Sequence, residues 1–378
     1  MSDTIGKERW FQLSAIESAC VNTPPFIVLQ DSALCFTMNQ SRTTMIQIGL
    51  LLTILTVGVT LSFVYFSTPT QTPPINTSMN FELNLIGAID TGGEALRVHV
   101  DDDLAFVIDF GEQTSYGLVI VNVSNPSQPE ILGTYHDGGL PYAIESAGDI
   151  VYIADQLEGL RIINISNPSQ PSAIEGYTGS GAAYDLEIVG DLLFLADGGY
   201  GLVILNISTP SNPVFVSNYD SDCVHIEIEE NIAYIAGHGS IRLVNVSDPH
   251  HLTLLGQTYE SSSTMWDPSV SNGTIYLANH SGENGELQIF DARNPTNIEK
   301  LSEFDSEGHF QSFFVRDSIL YAVDYESGLY LLDVTNSSSP IEVERFSDGG
   351  RPWDVTLDED YVYLCGSEGL QILQLVQI

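Results

Sequence analysis

Along this chain apolar residues come in short β-branched and aromatic runs separated by turn-forming polar clusters, and the order of runs and turns recurs. Gly117-Leu-Val-Ile-Val-Asn122-Val-Ser-Asn-Pro126 returns as Gly159-Leu-Arg-Ile-Ile-Asn164-Ile-Ser-Asn-Pro168 and as Gly201-Leu-Val-Ile-Leu-Asn206-Ile-Ser-Thr-Pro210. Fainter copies end at Asn245, Asp291, Asp333 and Gln374, so the steps are 42, 42, 39, 46, 42 and 41 residues. A period of that size signals an array of seven supersecondary units rather than separate domains.

Each unit predicts four strands. A run such as Ile150-Val-Tyr-Ile-Ala-Asp155 is short enough for a strand and ends on a turn former. After a turn comes the Gly-Leu-Val-Ile-Val strand. Asn/Asp-x-Ser-x-Pro then turns the chain again, because Asx and Ser side chains bond the turning backbone and Pro fixes φ while removing a donor. The fourth strand is Ile131–Tyr135 in the first full copy, with Tyr177, Tyr219, Tyr259, Phe304 and Phe346 at the matching aromatic position. No unit holds a 3.6-residue apolar period, which excludes helical solenoids. Four short strands per unit predict an all-β fold, a seven-bladed β-propeller over residues 80–378. The seventh unit ends at Ile378 after its third strand, and Leu85-Ile-Gly-Ala-Ile-Asp-Thr-Gly-Gly93 aligns without gaps to Ile131-Leu-Gly-Thr-Tyr-His-Asp-Gly-Gly139. An N-terminal strand is therefore expected to complete the last blade and remove the exposed sheet edges.

One apolar run is of a different kind. Residues 45–66 carry no charge and are long enough, at about 1.5 Å per residue, to cross a hydrocarbon core of about 30 Å. The run exceeds the h-region of a signal peptide and no small-x-small cleavage motif follows it, so it reads as an uncleaved transmembrane helix. Lys7, Arg9 and Arg42 precede it, while no Lys or Arg follows until Arg97; the positive-inside rule puts residues 1–44 in the cytoplasm and everything beyond Phe66 outside the cell. Met38 offers an alternative start with a short Asn-Gln-Ser-Arg flank. Residues 67–79, rich in Thr and Pro, predict an extended stalk.

The Leu-Val-Ile-Val-Asn122 and Leu-Val-Ile-Leu-Asn206 strands, within the combined G-L-x-I-x-[ND]-x-S-x-P pattern, resemble the family named for its LVIVD repeat. The resemblance covers about residues 80–378. It implies a β-propeller at the cell surface and brings no common catalytic motif. The fourth and fifth units depart most, with Ser240 and Glu286 in place of the glycine and Pro268 interrupting a first strand. WD40 punctuation is missing.

Charge narrows the partners. The chain has 11 Lys+Arg against 50 Asp+Glu, a net −39, although only 16% of residues are charged. From Asn80 onward there are 8 basic and 46 acidic residues, so the charge lies on the expected ectodomain. Such a field repels nucleic acid and anionic membrane surfaces and attracts cations.

Counting back 13 residues from each second-strand end gives Leu96, Tyr142, Tyr184, Val224, Trp266, Gln311 and Trp353, which are expected to ring one mouth of the central channel. One step on lie Arg97, Ala143, Asp185, His225, Asp267, Ser312 and Asp354; three steps on lie His99, Glu145, Glu187, Glu227, Ser269, Phe314 and Thr356. Facing the channel, these would line it with carboxylates, two histidines and one arginine. The functional reading is a site for a cationic ligand or a divalent metal, and the bland reading is a solvated channel. The candidate ligand-binding set at the mouth is Tyr142, Tyr184, Trp266, Trp353, Asp185, His225, Asp267 and Asp354; Trp266 and Trp353 offer ring faces to a sugar or a cation. The Asp109, Asp155, Asp197 and Asp324 series fits turn chemistry better than a metal ring. No G-x-S-x-G, H-E-x-x-H, P-loop or Rossmann fingerprint occurs.

Cys223 and Cys365 fall in nearly opposite blades, too far apart for a disulfide, and are expected to be buried thiols; Cys20 and Cys35 precede the span. Of the eight Asn-x-Ser/Thr sequons from Asn76 onward, four coincide with the repeat's own turn, leaving Asn76 and Asn336 as the better glycosylation candidates. Together these features point to a single-pass surface protein presenting a recognition or adhesion module for a protein or glycan ligand. The alternative is an extracellular metal-assisted hydrolase or lyase using channel carboxylates and His225.

Overall fold

The computed structural model describes two short strands near the N-terminus and, over residues 81–378, all but residues 112–115, 137, 180–181, 280–284 and 348–349. The expected span at 45–66 and the stalk at 67–79 lie outside the described residues; among the described residues no helix is long and apolar enough to cross a membrane. The chain divides into two units, Met1–Asn76 and Thr77–Ile378. In the first, Ile27–Leu29 pairs antiparallel with Ser32–Leu34.

The second unit is a seven-bladed, all-antiparallel β-propeller. Blade 1 runs Gly93–Asp101, Leu104–Gly111, Tyr116–Asn122 and Glu130–His136 from the inside outward. Blade 2 comprises Pro141–Ala147, Ile150–Asp155, Gly159–Asn164 and Ser172–Tyr177; blade 3 comprises Ala183–Val189, Leu192–Asp197, Gly201–Asn206 and Val214–Tyr219. Blades 4 and 5 merge into one six-stranded sheet because the long strand Thr253–Ser271 is outermost in blade 4 by its first half and innermost in blade 5 by its second. This is where the repeat is faintest. Blade 6 spans Phe310–Phe346. Blade 7 takes its first three strands from Pro352–Asp358, Tyr361–Gly366 and Gly369–Gln377 and its fourth from Phe81–Ile89, in a register from Leu370↔Ile89 to Gln377↔Phe81.

The core consists of seven apolar layers, each shared by two adjacent blades. Alternation sorts side chains between layers: in Ile150–Asp155, Val151 and Ile153 join the layer against blade 1, while Tyr152 and Ala154 join that against blade 3. Both sheet faces are therefore buried. The second and third strands read as continuous apolar runs for that reason rather than alternating with polar residues.

The Pro turns have a packing role as well. In the 3–4 connections Asn122, Asn164, Asn206 and Asn245 each accept the N–H of the Ser two residues on, at 2.9–3.1 Å, and fix the chain reversal. The turns of blades 1, 2, 4, 5 and 6 then rest on the outer strand of the preceding blade, where space is short. Ser217 and Ser302 donate their hydroxyls to Pro249 O and Ser337 O. At Gly87, Gly133 and Gly256 an added Cβ would fall inside the carbonyl oxygen of Pro126, Pro168 or Pro295. Gly133→Ala is accordingly expected to destabilise the fold by about 1–3 kcal/mol, because a backbone carbonyl cannot rotate away. A urea midpoint unchanged from the parent would refute this.

Candidate functional site

The register Pro141↔Asp155 and Ala147↔Ile150 shows that each inner strand begins on the face carrying the 2–3 turns and ends on the face carrying the 1–2 hairpins. The residues expected at the mouth sit at that beginning, in a local structure the sequence did not disclose. Pairing between first and second strands shifts register between Ala95 and Arg97, Pro141 and Ala143, Ala183 and Asp185, Phe310 and Ser312, and Pro352 and Asp354. Leu96, Tyr142, Tyr184, Gln311 and Trp353 are thus the extra residues of β-bulges, which re-aim a side chain out of the ladder.

The bulged aromatics are partly exposed and span blade boundaries. Tyr142 of blade 2 meets Tyr184 of blade 3 edge-on at 5.6 Å between centroids, and Gln156 Nε2 donates to the Tyr184 hydroxyl at 3.1 Å. Trp353 of blade 7 lies 4.8 Å from Tyr325 of blade 6, its indole N–H donating to Glu94 of blade 1 at 2.8 Å. Arg351 covers the other partner, 5.4 Å from the Tyr325 centroid. These two aromatic clusters form one rim. The side chains of Trp266 and Asp267 lie outside the described residues.

The carboxylates below the rim bond backbone amides across the blade junctions. An inner strand is a sheet edge, and its channel-side N–H groups have no ladder partner. Carboxylates of the preceding blade reach them. Asp185 accepts Ile226 N at 2.9 Å, Glu145 accepts Ile188 N at 2.9 Å, Glu187 accepts Ile228 N, and Asp354 accepts Val98 N at 3.0 Å, while Glu229 accepts Gly273 N, in the hairpin turn of blade 5, at 2.8 Å. Arg316 does the converse, donating to Leu357 O at 2.8 Å and Glu359 O at 2.9 Å in blade 7. Between blades 1 and 2, Ser146 Oγ donates to Asp101 at 2.9 Å and meets His99 Nε2 at 3.1 Å. Of the predicted binding set, Asp185 and Asp354 therefore act as inter-blade struts.

Burial sets the protonation of this wall. It pushes Glu145 up to about 8, and burial together with Glu227 and Glu145 pushes Glu187 up to about 10. Burial, helped by the positive charge of Arg97, holds His225 down to about 3, so its 3.8 Å approach to Asp185 is not an ion pair at neutral pH. Burial also lowers His99, against the pull of Asp101 and Asp354.

Of the Asp series at the second-strand ends, Asp155, Asp197 and Asp324 serve turn amides, while Asp109 accepts the Thr91 hydroxyl. Asp155 Oδ1 accepts three backbone N–H groups, while Asp197 and Asp324 accept two each. Among the described residues no group of three or more His, Cys, Asp or Glu is placed to hold a metal ion. Cys223 and Cys365 are buried and not joined by a disulfide. Asn336 is exposed, and Asn76 lies outside the described residues.

A ring of seven four-stranded blades with its polar groups spent on inter-blade bonds and its aromatics raised at one rim defines a repeat-built propeller. The LVIVD repeat matches residues 92–137, 143–179, 180–221, 222–259 and 307–348, more than half of the sequence, and the chain belongs to that family. No curated protein matches it. Among solved structures it is similar to the crystal structure of the computationally designed Ika8 protein, with 9% identity and a TM-score of 0.57, covering 78% of this chain and 100% of that one. At that identity the likeness concerns the fold alone.

Proposed function

We propose that the protein is a single-pass surface protein that presents its propeller outside the cell as a recognition or adhesion module for a protein or glycan. Residues 45–66 are the anchor, 67–79 the stalk, and Phe81–Ile89 the strand that seals the ring; Asn76 and Asn336 are the positions for N-linked sugar. The observation that carries this reading is the bulged rim: Tyr142, Tyr184 and Trp353 are lifted out of their ladders and left partly exposed on one face. Such amphipathic aromatics are the side chains that anchor recognition surfaces. The net charge of −38 on this unit selects against nucleic acid and anionic membrane. The hydrolase or lyase alternative is less well supported, since its carboxylates already grip backbone amides.

The test is crosslinking of the full chain on whole cells, followed by identification of what is captured. Trp353→Ala and Tyr184→Ala are each expected to weaken capture roughly 10- to 30-fold, the usual loss for a buried aromatic anchor of about 1.4–2 kcal/mol. Asn125→Ala, on the opposite face, is expected to leave capture unchanged. Equal capture by all three variants would sink the rim as the binding surface.

A further inference from the structure

The outer strand of each blade is a sheet edge, whose backbone N–H and C=O groups are paired on one side only. Native proteins blunt such edges with charge, and five of the seven blades here do so. Blade 7 carries Glu82 in its outer strand, blade 1 Glu130, blade 2 Glu175, blade 5 Glu299, Glu303 and Asp305 with Lys300, and blade 6 Glu342 and Glu344 with Arg345, so each of these edges is net negative. Blade 3 breaks the rule. Its outer strand reads Val214-Phe-Val-Ser-Asn-Tyr219 and lies within residues 198–219, the longest stretch of the propeller without Asp, Glu, Lys or Arg. Val214 is 52% and Phe215 49% exposed. We propose that this edge is where two copies of the chain associate, pairing Val214–Tyr219 with the same strand of a second copy across a twofold axis.

Charge selects the occupant. The propeller carries a net −38, so a cationic partner would gain from carboxylates along the strand it meets, whereas a second copy, equally acidic, needs a strand from which they are absent. Blade 3 meets the second requirement. The adjoining edge is of the same kind, for Thr253–Tyr259, the part of the long strand that closes blade 4, is also uncharged and leaves Leu254 44% exposed. A bulge falls in all seven outer strands, at Val216 here, so it does not set blade 3 apart.

The strand is also held ready to pair. Val216 and Tyr219 pack into the apolar layer against blade 4, Ser217 donates its hydroxyl to Pro249 O, and Asn218 Nδ2 donates to Tyr200 O at 3.0 Å. These contacts engage side chains. Among the described residues no strand pairs with the outer side of Val214–Tyr219, so its outward backbone groups are the ones a second strand would take. A twofold uses the same patch on both copies and therefore closes on a dimer rather than a fibre.

The test is sedimentation equilibrium of the full chain in a neutral detergent, from about 1 to about 100 μM, with hydrogen exchange on the same samples. A dimer is expected, and its dissociation constant should fall as salt rises from about 0.02 to about 0.3 M, because screening relieves the repulsion between two acidic copies. Val214→Glu/Phe215→Glu should raise that constant about tenfold or more by setting like charges across the seam, while Ile131→Glu at the blade 1 edge should leave it unchanged. In the parent, the amides of Val214–Tyr219 should exchange more slowly as concentration rises, and those of Glu130–His136 should not. A monomer throughout the range, a dimer indifferent to the double variant, or one that salt dissociates overturns the proposal. Should the double variant not fold, exchange in the parent decides: concentration-dependent protection at Val214–Tyr219 alone supports the pairing, and its absence there, or its appearance on the other edges, refutes it.

Discussion

Deleting Phe81–Ile89 is expected to leave a chain that can be expressed but shows no cooperative unfolding transition. The deletion strips blade 7 of its outer strand and turns Gly369–Gln377 into an unpaired sheet edge. Two apolar layers lose members at once, since Leu83 packs in the layer between blades 6 and 7 and Ile86 and Ile89 pack in that between blades 7 and 1. Full burial of such a side chain is worth about 1.5–3 kcal/mol, and Ile86 and Ile89, half-buried, contribute less than Leu83. Against a total stability of about 5–15 kcal/mol for a domain, three of them and their backbone ladder remove most of the margin. Leu83→Ala alone should cost roughly 2 kcal/mol or more. Because Gln377 lies opposite Phe81, reattaching Phe81–Ile89 after Gln377 through an Asn-Gly turn should restore the transition. Thermal melts by circular dichroism with parallel light scattering read all three variants. A deletion variant melting within a few degrees of the parent would show that the ring does not depend on this strand.

How far the sequence speaks depends on how local the cause is. The blade unit was legible because two of its strands are buried on both faces and one turn is fixed by its own Asn side chain, and all of that is written within about 42 residues. The mouth residues were legible by position, but not their bulges, since an extra residue in a ladder leaves no mark on composition. The role of Asp185, Glu145 and Asp354 was hidden for a different reason. Alternation states that they share a face, yet the amides they serve belong to the next blade, 41 to 43 residues away for Asp185 and Glu145 and 256 residues away for Asp354. One signal was available: an inner sheet edge around a channel must satisfy its own N–H groups, and the acidic residues on the first strands of blades 2, 3 and 7 supply acceptors. The same reasoning reads Arg316 as a carbonyl clamp instead of a lone channel cation.

The turn that supports Tyr142 and Tyr184 provides the second large effect. Asp155 is fully buried, with Oδ1 accepting Leu157 N at 2.8 Å, Glu158 N at 3.0 Å and Leu140 N at 3.2 Å, and Oδ2 accepting Arg161 Nη1 at 2.9 Å. Gly139 must be glycine here, for a Cβ would overlap both the Asp155 carboxylate and the Arg161 guanidinium. Asp155→Ala strands three amides and leaves Arg161, only 14% exposed, without its carboxylate. The expected cost is about 3–5 kcal/mol, the range for a buried pair broken on one side. Asp155→Asn keeps an acceptor but loses the charge and should fall between Ala and the parent. In Asp155→Ala/Arg161→Met the stranded charge is gone, so the double variant should be more stable than Asp155→Ala alone, with a coupling of about 1–3 kcal/mol in a double-mutant cycle. Urea denaturation of the four proteins measures it. The loss should also reach the rim, because this turn holds Leu140 through Gln156 N at 2.9 Å and places Gln156 on the Tyr184 hydroxyl. Additive single costs would mean that Asp155 serves the turn amides alone and that Arg161 finds its counter-charge elsewhere.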